Sequence, residues 1–189
     1  NRTHALLIAA PIEGKMELTN SLYIADLENL SVRQVPDQGE FSYNYAHFIA
    51  DGQGICCGKR FEQYGLNENP SFYRIDLESG FRMEITPDWD LSVWNSVGSD
   101  CRYGSGETMR YIDGYLYFVA TEGFNSQLHR VDLQGKIEKL TTGSGSIDSF
   151  AVHGEQLTWI GLRGLNLQEL YNLEDGKEVQ ITEFNKWVL

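Results

Sequence analysis

The sequence predicts an all-β fold, a β-propeller fragment of about four blades of four antiparallel strands with the first blade incomplete. Three observations predict it. One phrase is written four times, as LYIADLENLSVRQV from position 22, FYRIDLESGFRMEIT from 72, LHRVDLQGKIEKLT from 128 and LYNLEDGKEVQIT from 170, so that successive copies stand 50, 56 and 42 residues apart. Each copy holds an alternating strand, an acidic residue or Gly that turns the chain, and a second strand ending near Thr, which is a hairpin in sequence form. Periods of that size, with strands and no helical pattern, belong to propeller blades or a related β array.

Taken in order, the first unit supplies three strands, HALLIAA, SLYIADL and SVRQV. An inner strand is missing, which leaves Leu6, Ile8, Leu22 and Ile24 half covered on an open edge. Either the tail FNKWVL at 184–189 returns to complete this blade, closing a small ring, or the chain is a piece of a longer propeller. The fragment is the expectation. The second unit has an inner strand over Ala46–Ala50, a turn at Asp51–Gly54, then ICCGKR, SFYRIDL and FRMEIT. The third has Met109–Ile112, a turn at Asp113 and Gly114, then YLYFVAT, QLHRVDL and KIEKLT. The fourth has SIDSFAV, a turn at His153 and Gly154, then QLTWIG, QELYNL and EVQIT. The blades accordingly divide at about 1–38, 39–90, 91–143 and 144–189 of a single partial propeller. Asp-Gly turns recur where a tight hairpin needs positive φ.

Composition bounds the function. A chain of 189 residues that is 41% hydrophobic and 22% charged is ordinary for a soluble globular protein. A net charge of −12 with scattered basic residues argues against nucleic-acid binding. No apolar run approaches the roughly 18 residues of a membrane span, and the start lacks the pattern of a signal peptide. Cys56, Cys57 and Cys101 have no metal spacing, and the adjacent pair points to opposite faces of a strand. They read as reduced thiols of a cytoplasmic protein, and no cofactor is expected.

The stretch from about Asn95 to Leu189 resembles the last propeller blades of prolyl oligopeptidase family serine peptidases, in the acylaminoacyl peptidase and dipeptidyl aminopeptidase branch. The matching text is NSVGSDCRYGSG at 95–106, DGYLYFVATEG at 113–123, LHRVDLQGKIEKLTTGSGSID from 128 and QELYNLEDGKEVQITEFNKWVL from 168. In that family a phrase like ITEFN marks the exit from the propeller into an α/β-hydrolase domain. The resemblance implies a parent peptidase in which the propeller covers the active site and filters peptide substrates by size. The chain departs from the family in having no G-x-S-x-G nucleophile elbow. No catalytic residue is carried over, and no peptidase activity is expected of this chain alone.

Other constellations are weak. Asp148, Ser149 and His153 read as polar residues at a strand end rather than a triad. His4, His47, His129 and His153 are dispersed, and His129 stands where the other repeats carry Tyr, so it reads as a packed strand residue. GSG at 104–106 and GSGS at 143–146 read as propeller loops rather than phosphate loops. Asp88 and Asp90 lack the further ligands that calcium needs, so no metal site is expected. Asp26, Asp76 and Asp132 occupy one place in every hairpin, as turn chemistry predicts. The long loop EQYGLNENPS and the stretch Trp89–Tyr103 are where contacts gather. The candidate substrate-access or interdomain contacts are Tyr64, Trp89, Trp94, Arg102 and Tyr103. Two other functions stay open: a free-standing propeller module binding protein or glycan partners, and an enzyme built on the propeller itself. A homo-oligomer through the incomplete blade also follows from its open edge.

Overall fold

The computed structural model describes residues 3–14, 17–97, 106 and 108–188. They form two compact units, Asn1–Asp90 and Leu91–Leu189, each built from two antiparallel sheets. In the first unit β1 (His4–Ala9), β2 (Ser21–Asp26) and β3 (Val32–Gln34) make a three-stranded sheet in chain order. Its companion runs β4 (Ser42–Ala50), β5 (Gln53–Lys59), β6 (Ser71–Asp76) and β7 (Arg82–Glu84), with one 3-10 turn at Gly65–Asn67.

The second unit opens with a five-stranded sheet of β8 (Ser92–Val93), β9 (Met109–Ile112), β10 (Tyr115–Glu122), β11 (Asn125–Asp132) and β12 (Ile137–Lys139). Four further strands, β13 (Gly145–His153), β14 (Gln156–Arg163), β15 (Glu169–Glu174) and β16 (Lys177–Gln180), follow in chain order. The fold is thus all-β, with four blade-like sheets of which the first lacks a strand. Among the described residues no helix is long and apolar enough to cross a membrane.

The repeated phrase has one structural meaning. Its second residue, Tyr23, Tyr73, His129 or Tyr171, pairs with Gln34, Glu84, Lys139 or Gln180 on the last strand of its sheet. The acid of the phrase closes the hairpin, as turn chemistry requires. Asp26 accepts the N–H of Glu28 at 2.8 Å, Asp76 that of Ser79 at 2.8 Å, and Asp132 those of Gln134 and Lys136 at 2.9 Å each. These donors favour the carboxylate, and they hold Asp26 and Asp76 below the usual carboxylate range. Asp113 and Gly114, with φ of 50° and 84°, and Asp175 and Gly176, with 49° and 72°, make two-residue turns of the kind that follows strand twist.

Several details differ from the sequence expectation, among them the second sheet's inner strand, which starts at Ser42 rather than Ala46 and turns on Asp51 and Gly52 alone. The inner strand of the third sheet is split: β10 pairs with β8 through Ala120 and Thr121 and with β9 through Tyr115–Phe118. An insertion between Val93 and Met109 interrupts a strand that local alternation reports only as β9. In the fourth sheet His153 is the last strand residue, paired with Gln156, so the turn falls one residue later, on Gly154 and Glu155. The tail 184–188 is a turn and a 3-10 helix rather than a strand.

Each unit has its core between its own two sheets. In the first, Leu22, Ile24, Phe41, Cys56, Tyr73 and Ile75 pack together, so Leu22 and Ile24 are buried rather than half covered. Burial of each stabilises by roughly 1.5–3 kcal/mol. Ile8, on the free edge strand, stays 38% exposed. In the second, Trp159 stacks on Tyr171 at 5.8 Å and joins Val119, Leu128 and Ile147. His129 takes the place of the aromatic of the other copies: it is 3% exposed and stacks on Phe118 at 5.4 Å. Cys56 and Cys57 are both free and wholly buried, and burial pushes the Cys56 thiol up to about 12. Cys101 lies outside the described residues.

Candidate functional site

The connection between β5 and β6 is a folded loop rather than a slack one. Phe61, at φ 62°, turns the chain out of β5, and Gly65, at φ 57°, opens the 3-10 turn. Glu68 then reaches back, its carboxylate accepting the backbone N–H groups of Arg60 at 3.2 Å and Gln63 at 3.0 Å. Burial alone would raise the Glu68 pKa, but these donors outweigh it and hold it below the usual carboxylate range. Lys59 donates to the carbonyl of Leu66 at 2.8 Å.

The chain leaving β7 closes the opposite side. Thr86 accepts the N–H of Phe72 on its hydroxyl at 3.0 Å and that of Trp89 on its carbonyl at 3.0 Å, which sets the indole 6.4 Å from the Phe72 ring. Asn69 donates to Asp90 at 2.9 Å and ties the loop to this exit segment. Between the two lies an open hollow of about 320 Å³ lined by Tyr64, Trp89, Arg60, Tyr73, Glu84 and Asp88 among others. Two of the sequence candidates, Tyr64 and Trp89, therefore meet in one place. Arg60 stacks over Tyr73 at 5.1 Å, and burial first, then the Glu84 charge, push the Tyr73 phenol up to about 12. The hollow brings the exposed Tyr64 beside the carboxylates of Glu62, Glu68, Glu84, Asp88 and Asp90.

Trp94 belongs to the second unit. It sits at φ 83°, a strained backbone for a bulky residue, fixed by its N–H donating to Val119 at 2.6 Å and its carbonyl accepting from Thr121 at 2.8 Å. Arg102 and Tyr103 lie outside the described residues.

Among the described residues no group of three or more His, Cys, Asp or Glu side chains is placed to hold a metal ion. Asp148 lies at a bulge in β13, its carboxylate accepting from Asn95 at 2.8 Å. Ser149 and His153 are four positions apart on the same strand, roughly 13 Å, beyond hydrogen-bond reach. The GSGS loop cradles a carboxylate of its own chain: the N–H groups of Thr142 and Gly143 donate to Glu178 at 2.7 and 2.8 Å.

A second feature escaped the sequence reading. Glu169, 3% exposed, gathers the ITEFN segment: it accepts the N–H groups of Phe184 at 3.0 Å and Asn185 at 2.7 Å and the Thr182 hydroxyl. Asn185 also donates to the Gln168 carbonyl at 2.7 Å. The segment so fastened presents Phe184 and Trp187, 70% and 81% exposed, beside a hollow of about 220 Å³ lined by Leu165, Leu167 and Val188. The ITEFN text marked this segment, but Glu169 inside QELYNL reads locally as an ordinary strand residue.

By sequence, no family model and no curated protein matches the chain. Solved structures share its fold. Over 98% of its length the chain is similar to 27% of Pyrococcus horikoshii acylaminoacyl peptidase, with a TM-score of 0.71 and 19% identity. It is similar over 97% of its length to 53% of the β-propeller domain of the Trilobed protease from Pyrococcus furiosus, with a TM-score of 0.68 and 22% identity. Over 94% it is similar to 26% of puromycin hydrolase, with a TM-score of 0.65 and 15% identity. These likenesses establish a β-propeller fold, and the chain spans between about a quarter and a half of those structures.

Proposed function

We propose that this chain is the non-catalytic propeller portion of a serine peptidase of the prolyl oligopeptidase family. It gates the access of peptide substrates to an α/β-hydrolase domain outside this sequence and docks on that domain. The observation that carries the reading is the likeness of nearly the whole chain to about a quarter of an acylaminoacyl peptidase. The Glu169 clasp supports it, because it fixes the direction of the ITEFN segment and leaves Phe184 and Trp187 open to a partner surface.

In this role the propeller does no bond chemistry. It excludes by size and orients what passes, through loops held on rigid sheets. Tyr64, Trp89, Trp94, Arg102 and Tyr103 are its substrate-access or interdomain contacts, and the blades divide near 38, 90 and 143. The protein works in the cytoplasm, where Cys56 and Cys57 stay reduced. The free edge of β1 is the route by which copies associate.

The test is immunoprecipitation of the native protein, followed by its intact mass and by labelling with a fluorophosphonate that reacts with active serine hydrolases. A labelled species far heavier than 21.5 kDa, yielding a G-x-S-x-G peptide, is the expected result. An unlabelled species of 21.5 kDa overturns the reading.

A further inference from the structure

Among the described residues, Arg163 and Arg82 both lie largely covered against aromatic rings, and they differ in one respect. In the second unit Arg163 lies 5.7 Å from the Trp159 ring and 5.9 Å from that of Tyr171, and its Nε donates to Glu178 at 2.6 Å. In the first unit Arg82 lies 4.2 Å from the Phe41 ring and 5.6 Å from that of Tyr43. It is 8% exposed, and among the described residues it has no carboxylate partner. Its bonds go to neutral groups, the Tyr43 hydroxyl at 2.7 Å and the Gln38 carbonyl at 2.9 Å, while its Nε has no acceptor.

A buried guanidinium without a counter-charge is costly, because desolvation is then offset only by neutral dipoles. Neither Tyr43 nor Cys56, the titratable groups that feel it most directly, supplies the charge. Burial pushes both the Tyr43 phenol and the Cys56 thiol up to about 12, so neither is an anion at neutral pH. The missing charge has a place to enter. Arg82 lines an open hollow of about 450 Å³, and a second arginine, Arg60, lines it too. Phe61 and Phe81 give it apolar walls, Phe81 being 62% exposed, and Glu40 and Glu62 lie along its lining.

We propose that this hollow binds a peptide carboxylate, held by Arg82 and Arg60 as Glu178 is held by Arg163, with the hydrocarbon of the ligand against Phe61 and Phe81. The carboxylate comes from a chain terminus or from an Asp or Glu side chain, and both present the same group.

The experiment is calorimetric titration of the intact protein with 3-phenylpropionate and with 3-phenylpropionamide, which differ only in the charged group. The acid is expected to bind at least about tenfold more tightly than the amide, as loss of a charge-assisted bond predicts. Arg82 also packs in the core, so Arg60→Ala carries the mutational arm and should weaken the acid by about tenfold without moving the amide. The peptide Ala-Ala-Phe as free acid, set against acetyl-Ala-Glu-amide, then separates a terminal from a side-chain carboxylate. Equal binding of acid and amide, no binding of the acid near 10 mM, an acid affinity unchanged by Arg60→Ala, or failure of both peptides would each overturn the proposal.

Discussion

The carboxylate of Glu169 holds Asn185 twice, by its backbone N–H at 2.7 Å and by its side-chain amide at 3.3 Å. With Phe184 and Thr182 on its other oxygen, one side chain fastens the turn of residues 182–185. Burial would raise its pKa, but the donors outweigh that and lower it. Glu169→Gln replaces one acceptor oxygen with an NH₂ that meets donors. Amide hydrogen exchange at Phe184 and Asn185 should then quicken by about tenfold, while that of β14 stays unchanged. Equal exchange in both proteins would show that the segment is held by something else.

Glu68 does for the β5–β6 loop what Glu169 does for the tail. Its folded pKa lies below its ordinary value of 4.5, so its contribution is present above that value and lost as pH falls through the folded pKa. Limited proteolysis between Phe61 and Glu68 should therefore be slow at pH 7 and faster once the pH falls through the folded pKa, below 4.5. Glu68→Gln should make it fast at both. A wild-type loop cut equally at both pH values would refute the staple.

The strands and hairpins were legible because their signals are local: period-two alternation, Asp-Gly turns and the acid of the repeated phrase all act within a few residues. Asp76 and Ser79 are three positions apart and need no fold to meet. The rest was illegible because its partners are distant in sequence. Arg82 reads as an outward residue of an outer strand until the chain around Gln38, 44 positions away, arrives to cover it. The split of the third inner strand is hidden likewise, since Ser92 and Val93 pair with residues that follow a long insertion. Tyr64 and Trp89 were each marked by an irregular segment, and the bond from Asn69 to Asp90, distant in sequence, ties those segments together.

His129 should make the second unit sensitive to mild acid. Burial lowers its pKa below 6.5, against the hydrogen bond to the Gln127 carbonyl that raises it. The unfolded chain takes up a proton near 6.5 while the folded one resists, so stability falls as pH drops from 6.5 to the folded pKa, by at most about 1.4 kcal/mol per pH unit. His129→Phe keeps the stacking on Phe118 and removes the proton. Denaturant titrations at pH 7.5 and 5.5 should show a smaller difference for the variant than for the wild type. An identical difference would place the sensitivity elsewhere.

Gly161 faces Ser146 and Ile147 beside the bulge of β13, and an added Cβ there overlaps the Ser146 carbonyl. Gly58 holds the matching place beside the bulge of β4, where a Cβ overlaps the Ser42 carbonyl and the Phe41 ring. Backbone cannot give way as a side-chain tip does, so Gly161→Ala and Gly58→Ala should each cost about 1–3 kcal/mol in urea unfolding. Unchanged midpoints would mean that the bulges relax at little cost.

Tyr64 is the sequence candidate best suited to separate contact from packing. It is 62% exposed, and it lines the hollow that Trp89 also lines. Removal of an exposed side chain away from any cap or network usually shifts stability by less than about 0.5 kcal/mol. Tyr64→Ala should thus leave the unfolding midpoint in place. If the hollow lies on the path of peptide substrates, the same change in the intact peptidase should alter kcat/KM for long peptides by about threefold or more and leave dipeptide amides untouched, because only a long chain reaches the propeller loops. Trp89→Ala is the contrasting variant: its ring packs near Phe72 at 6.4 Å, so it should lower stability as well. A Tyr64→Ala enzyme with unchanged discrimination between long and short substrates would remove this hollow from the access route and leave it a structural feature of the loop.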